Sequence, residues 1–422
     1  MSGDHRVEHV TCLGCGCGCD DVTVRVSNER IIEVAPACPL GQEWFGDGQV
    51  PSQILIEGRS VSLEDALARI IDLLLPARGH CVVYLGADLT SQAQRAAISI
   101  ADLLDAAVQS ETSDTAAQGL IVAQRRGRAA ATLGEIRNRG DVFLFWGVDP
   151  QERYPRFLAR YSLDPIGLQV PQGRQGRFVV AVSVGADKSL DSADQAFALT
   201  PDQEIEALTL TRAAVMGNRM AAESPIAAQA AELADRLLGA RYAVVVHDAE
   251  PTAEQRNPLR AEALIALTQA LNGPTRAALC SLRGGGNRVG AESVLTWQTG
   301  YPFAVDYSRG YPRYRPEWRQ AVGPIGRHAA ALVVGTAPTE GSVCAALSSL
   351  QPAVIGPRAS QAAFAASVAV DTGVAGIHEP GIAYRMDEVP LSLRPCLDGP
   401  RLTTDVLTSL ARLIRSRLPK AG

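Results

Sequence analysis

Seven strand-length apolar runs, mostly separated by helical stretches, constrain this chain more than any other feature of it. They fall at 81–86, 142–147, 178–184, 242–247, 277–282, 330–334 and 353–355. A strand that is apolar on both faces must be covered on both, and helices returning between successive strands do this, so the pattern predicts a doubly wound, parallel-sheet α/β architecture. Ser62 ahead of Glu64-Asp65 opens one such helix as its N-cap, and Pro76 closes it after Leu75. At 422 residues the chain exceeds one small core, and two interleaved α/β domains are expected over 61–422, with a boundary between 185 and 240.

The first 60 residues read differently. Val22-Thr23-Val24-Arg25-Val26 alternates apolar and polar, Ser27-Asn28 turns the chain, and Ile31-Ile32-Glu33-Val34 resumes it, a hairpin pattern. Five of the nine cysteines lie around that hairpin, which predicts a small β-rich, Cys-bearing cap over 1–60. Cys12, Cys15 and Cys19 form C-x2-C-x3-C, with Cys38 returning after the hairpin and glycines that let the backbone curl. Four thiolates on such a loop suit a [4Fe–4S] cluster; the same set holds tetrahedral zinc, and Cys17 allows another pairing. Cys81, Cys280, Cys344 and Cys396 are isolated and read as small buried hydrophobes.

Charge and composition exclude several function classes. Forty Lys and Arg against 45 Asp and Glu leave a net charge of −5, which provides no basic field for a nucleic acid. No apolar run approaches the roughly 20 residues of a membrane span, and the stretch from Met1 to Val10 lacks an apolar signal core, so a cytoplasmic chain is expected. In a reducing compartment the cysteines point to metal rather than disulfides. No Gly-x-Ser-x-Gly, Walker loop or His-Glu-x-x-His occurs.

Other motifs carry two readings each. Arg283-Gly284-Gly285-Gly286-Asn287-Arg288-Val289-Gly290 follows a strand, as either a pyrophosphate loop or a plain glycine turn with no clear helix after it. Trp297, Tyr301, Tyr307, Tyr311, Tyr314 and Trp318, with Arg309, Arg313 and Arg315 among them, form either an interface region or the lining of a cofactor cleft. His247, His328 and His378 read as surface or satisfied core histidines.

The cluster loop Thr11 to Val22 with Cys19-Asp20-Asp21, the stretch Gly134-Glu135-Ile136-Arg137-Asn138-Arg139-Gly140-Asp141 with Trp146-Gly147, the long segment from Thr296-Trp297-Gln298-Thr299-Gly300-Tyr301-Pro302 to Tyr314, and Ala383-Tyr384-Arg385-Met386-Asp387 together resemble the B subunit of formylmethanofuran dehydrogenase. The resemblance runs over nearly the whole chain. It implies a molybdopterin oxidoreductase-type fold lacking the C-terminal dinucleotide-binding domain. In the archaeal enzymes it also implies a tungsten or molybdenum pterin that reduces carbon dioxide to formate, a nearby [4Fe–4S] cluster, and a metal-ligating Cys or selenocysteine.

The chain departs from that pattern where the ligand belongs. No cysteine occurs between Cys81 and Cys280, and the expected position falls near Thr115 in Ser113-Asp114-Thr115. The His that follows the ligand in the family is missing as well, since no His lies between His80 and His247. This is similar to the B subunit of the formyltransferase/hydrolase complex of methylotrophic bacteria. That resemblance implies a non-redox scaffold, without pterin, beside hydrolase (A), C and formyltransferase (D) subunits. Such a complex moves formyl from formyl-tetrahydromethanopterin to methylofuran and hydrolyses it to formate in one-carbon oxidation. The alternative is a catalytic, pterin-dependent chain with an oxygen ligand from Ser113, Asp114 or Thr115.

Overall fold

The computed structural model describes residues 4–187, 189–218, 224–250, 257–319, 325–339 and 341–419. The chain divides into two compact units: residues 1–114 with 284–422, and residues 115–283. The interval 185–240, where a boundary was expected, lies inside the second unit. Neither crossing carries a linker: one coincides with the first residue of the helix Asp114–Arg126, the other with the glycine loop after Ala277–Leu282.

In the first unit five parallel strands, Ala107–Ser110, Cys81–Leu85, Ala330–Val334, Ala353–Gly356 and Val368–Asp371, form the centre of a nine-stranded sheet. Antiparallel additions of two or three residues finish both sides: Val305–Asp306 with Arg313–Tyr314, and Ile54–Ile56 with Arg59–Ser60. Short edges of this kind leave little template for stray pairing. The helix Leu63–Leu74 begins as read, the Ser62 side chain accepting from the Asp65 amide, and buries Leu67, Ile70, Ile71 and Leu74 against the sheet. Ile325, Val343, Leu347 and Phe364 pack with the alternate residues of the same strands. Before the sheet stands a separate three-stranded antiparallel sheet, His5–Val10, Val22–Ser27 and Arg30–Ala35.

The second unit is built on an all-parallel five-stranded sheet in the order Gln195–Leu199, Phe178–Val184, Val142–Trp146, Ala243–Asp248, Ala277–Leu282. Strands after Val142–Trp146 are added first on one side and then on the other. The order therefore reverses between Val142–Trp146 and Ala243–Asp248, and a sheet of this kind opens a crevice at the carboxyl ends of those two strands. Among the described residues no helix is long and apolar enough to cross a membrane.

Candidate functional site

In the first unit the cysteine loop closes on itself, the Cys12 amide donating to the Cys19 carbonyl at 2.9 Å, with Gly18 in a left-handed conformation at φ +49°. Cys12, Cys17 and Cys19 are buried; Cys15 and Cys38 are partly exposed. Cys38 precedes the helix Pro39–Phe45, and Gly41 on that helix faces both Cys12 and Cys38: a Cβ there would lie 3.4 and 3.8 Å from their Sγ atoms. Burial pushes the Cys12 thiol well above the ordinary range. The Gly14 amide, donating to Sγ at 3.4 Å, opposes this, and Cys15, Cys19 and Cys38 add to it. Four mutually repelling thiolates need a cation among them, so the donor set fits an iron–sulfur cluster or zinc chemically. As the side chains stand, no group of three or more His, Cys, Asp or Glu among the described residues has metal-holding geometry.

The sequence motifs of the first unit converge on this loop. The Gly286 amide donates to the Leu13 carbonyl at 2.9 Å, and a Cβ on Gly285 would fall 2.0 Å from that oxygen, so glycine is required for the approach. The Met386 amide donates to Gly16 O at 3.0 Å. Trp44 Nε1 donates to Asp88 Oδ1 at 3.0 Å, and Asp88 also accepts from the Thr336 hydroxyl at 2.9 Å. A helix, Arg288–Thr299, does open after the glycines, and its N-cap Asn287 is a residue that sequence reading did not single out. Asn287 is buried in a left-handed conformation. Its Nδ2 donates to Leu89 O at 2.7 Å, its Oδ1 accepts from the Tyr384 amide at 2.7 Å, and its carbonyl accepts from Gln94 Nε2 at 2.9 Å. The glycine loop thus buttresses the cysteine loop.

The aromatic segment divides. Phe303 and Tyr307 are buried, and Tyr301 stacks on Tyr314 at 5.0 Å between ring centroids. Burial works to raise the Asp306 carboxyl, but hydrogen bonds from Ser308, its amide at 2.9 Å, and then Arg313 and Arg315, at 2.5 and 3.3 Å, hold it below the usual range. Trp297 and Tyr311 remain exposed. His378 is a satisfied core histidine: Nδ1 accepts from the Val374 amide at 3.0 Å and Nε2 lies 2.8 Å from Gly48 O.

In the second unit a cleft opens at the carboxyl ends of the strands, lined among others by Thr115, His247, Asp248, Arg260, Ser281 and Arg283. Arg260 and Arg283 lie against carboxylates of the same unit. Arg260 Nε lies 3.2 Å from Glu204 Oε1, Nη1 3.6 Å from Asp187, and Nη2 donates to Trp146 O at 2.8 Å, while Trp146 Nε1 donates to the same Glu204 oxygen at 2.8 Å. Arg283 Nε donates to Glu250 Oε1 at 2.9 Å, and Arg153 pairs with Asp248. His247 Nε2 sits 2.8 Å from Ser281 Oγ. Burial, then Arg260 and Arg128, push the imidazole from 6.5 down to about 3, so it is neutral near pH 7. The expected ligand position, Thr115, does line this cleft, while the preceding Asp114 carboxylate is held by Arg319 at 2.5 Å. None of the described lining residues is a thiol. With no soft donor among its described lining residues, this cleft does not fit a thiolate-ligated pterin metal. The sequence left His247 among scattered histidines and did not point to Arg260; His247 sits at the end of the strand Ala243–Asp248, beside the switch point, and Arg260 opens the helix Arg260–Leu271.

No family model matches the chain. The B subunit of tungsten-containing formylmethanofuran dehydrogenase 2 from Methanocaldococcus jannaschii is 28% identical over 411 residues, covering 93% of this chain and 94% of that one. Its counterpart from Methanococcus maripaludis is 28% identical over 410 residues with the same coverage. The B subunit of the formyltransferase/hydrolase complex Fhc from Methylorubrum extorquens is 27% identical over 266 residues, covering 63% of this chain and 68% of that one. A chain from the X-ray crystal structure of the Methylorubrum extorquens formyltransferase/hydrolase complex FhcABCD, in complex with methylofuran, superposes with a TM-score of 0.70 at 25% identity, over 86% of this chain and 99% of that one. In sequence the chain is similar to the B subunits of formylmethanofuran dehydrogenase and of the formyltransferase/hydrolase complex, and in fold to a chain of the FhcABCD complex.

Proposed function

We propose that this chain is the non-redox scaffold B subunit of a formyltransferase/hydrolase complex acting in cytoplasmic one-carbon oxidation. Its partners would be the hydrolase (A), C and formyltransferase (D) subunits, which together pass formyl from formyl-tetrahydromethanopterin to methylofuran and release formate. The observation that carries this reading is the cleft of the second unit, where Thr115 occupies the expected ligand position and no described lining residue is a thiol. Arginines already paired with Glu204, Asp187 and Glu250 support it, because a pyrophosphate would have to compete with buried carboxylates for them. On this reading the fold is of the molybdopterin oxidoreductase type, and residues 1–60 are its cap. Cys12, Cys15, Cys19 and Cys38 then serve as a staple, in which metal binding contributes folding free energy to a small β layer.

A second reading is favoured by the fuller coverage of the tungsten-containing relatives, 93% of this chain against 63%. It makes the chain a catalytic pterin protein with an oxygen ligand from Ser113, Asp114 or Thr115. Co-expression with the A, C and D subunits separates the two. On the scaffold reading omission of this chain dissociates the others, and Thr115→Ala leaves formyl transfer and hydrolysis within about twofold. A redox activity of the intact assembly toward formylmethanofuran that collapses in Thr115→Ala would favour the second reading.

A further inference from the structure

We propose that the edge strand Gln195–Leu199 pairs antiparallel with a second copy of itself about a twofold axis at Phe197, joining two five-stranded sheets into one. The strand closes one side of the sheet in the second unit, and among the described residues Phe178–Val184 is its one strand neighbour. The opposite edge, Ala277–Leu282, is covered, its Leu279 amide donating to Ala129 O at 2.7 Å. Gln195–Leu199 carries none of the devices that ordinarily blunt an edge: no charged residue, no Pro, and no bulge in its register. The pairing uses nothing of the cleft and stands whichever activity the chain has.

The ladder decides which groups face outward. In a strand the amide and carbonyl of one residue point to the same side, and successive residues alternate. The Leu199 carbonyl accepts from the Gly185 amide at 2.8 Å and the Phe197 carbonyl from Ser183 Oγ at 3.3 Å, so residues 195, 197 and 199 face the neighbouring strand. The amides and carbonyls of Ala196 and Ala198 therefore point off the sheet. Both alanines are exposed, while Phe197 packs against the core. The open stretch stops on either side of them. The Asp194 amide is donated to Val179 O at 2.9 Å, and its carboxylate accepts from the Val179 amide at 2.8 Å. The Thr200 amide is donated to Gln203 Oε1 at 3.0 Å, its carbonyl accepts from the Gln203 amide at 3.0 Å, and Pro201 has no amide hydrogen to offer.

This closure selects the occupant. A long strand from another chain would run past both ends and meet amides already donated at 194 and 200, whereas a second copy brings an open stretch of the same length. With the axis at Phe197, Ala196 lies opposite the partner's Ala198, and Ala198 opposite the partner's Ala196. These are the hydrogen-bonded pairs of an antiparallel ladder, each exchanging both of its bonds. The contact is isologous, as a twofold dimer requires. No charge falls within the paired stretch, and alanine facing alanine brings no steric conflict. A ladder this short holds a weak dimer, so the association depends on concentration.

Sedimentation velocity of the full chain over a concentration series tests the pairing. Wild type should pass from monomer to dimer as concentration rises. Ala196→Lys/Ala198→Lys sets lysines of the two copies opposite each other and should weaken association at least about tenfold, by an amount that shrinks with added salt. Ala196→Lys/Ala198→Glu sets Lys against Glu in the same register and should restore association to within about threefold of wild type. Both variants change exposed side chains, so the melting temperature of the monomer should hold. A wild-type chain that stays monomeric throughout overturns the proposal, as does a double-lysine variant that associates like wild type. Equal weakening in the two variants overturns the twofold register. A monomeric wild-type chain whose double-lysine variant instead loses the A, C or D subunit assigns the edge to a different chain and overturns self-pairing.

Discussion

Asn287→Ala is expected to lower the melting temperature of the chain by about 10 °C, the largest single-residue effect in the first unit. The change leaves Leu89 O and the Tyr384 amide without their buried partner, at about 1–3 kcal/mol each. It also places a Cβ-bearing residue with no compensating bond at φ +62°, adding about 1 kcal/mol. These costs sum to about 3–7 kcal/mol. Asn287→Gly separates the contributions, because glycine relieves the backbone strain and recovers only about 1 kcal/mol. A glycine variant as stable as wild type would show that the side-chain bonds contribute nothing. The loss should spread to the cysteine loop, since Gly286, next to Asn287, holds Leu13.

The second large effect belongs to the cleft. Arg260→Leu strands the carboxylates of Glu204 and Asp187 in the interior, where removal of one partner of a buried pair costs about 3–5 kcal/mol. The pH dependence carries the sign. Unpaired and buried, these carboxyls titrate above their unfolded values, so the folded variant binds more protons than the unfolded chain, and its deficit against wild type shrinks as pH falls. His247, depressed to about 3 by burial and then by Arg260, removes stability from wild type as pH falls below 6.5; the variant lacks the Arg260 contribution and loses less, which narrows the deficit on acidification in the same direction. Chemical denaturation at pH 5 and pH 8 measures both terms. A deficit that grows on acidification would contradict the pairing.

The parallel sheets were readable because strands covered on both faces are apolar throughout, as in 142–147 and 330–334. Ala107–Ser110 and Val368–Asp371 are equally buried yet escaped that reading, because their polar members are satisfied by distant partners. Gln109 donates to Trp318 O, and Asp371 accepts from Ser360 and from the Gln53 amide. Asn287 is invisible for the same reason: Leu89, Gln94 and Tyr384 lie far from it in the chain. Spacing and glycine content pointed to Cys12, Cys15, Cys19 and Cys38 as one set; Cys12 and Cys38 do lie on either side of Gly41, while no metal-holding group forms among the described residues. The cleft was not legible, since His247 meets Ser281 only through the strand order. The division into units left no trace in composition, because one crossing is absorbed into a helix start and the other into a buttressing loop.

Elemental and pterin analysis of the intact, anaerobically purified complex tests the central claim most directly. The scaffold account predicts neither molybdenum nor tungsten in stoichiometric amount and no pterin, with iron or zinc at Cys12, Cys15, Cys19 and Cys38 lost in a Cys12→Ser/Cys38→Ser variant. One molybdenum or tungsten per chain together with bound pterin would contradict it.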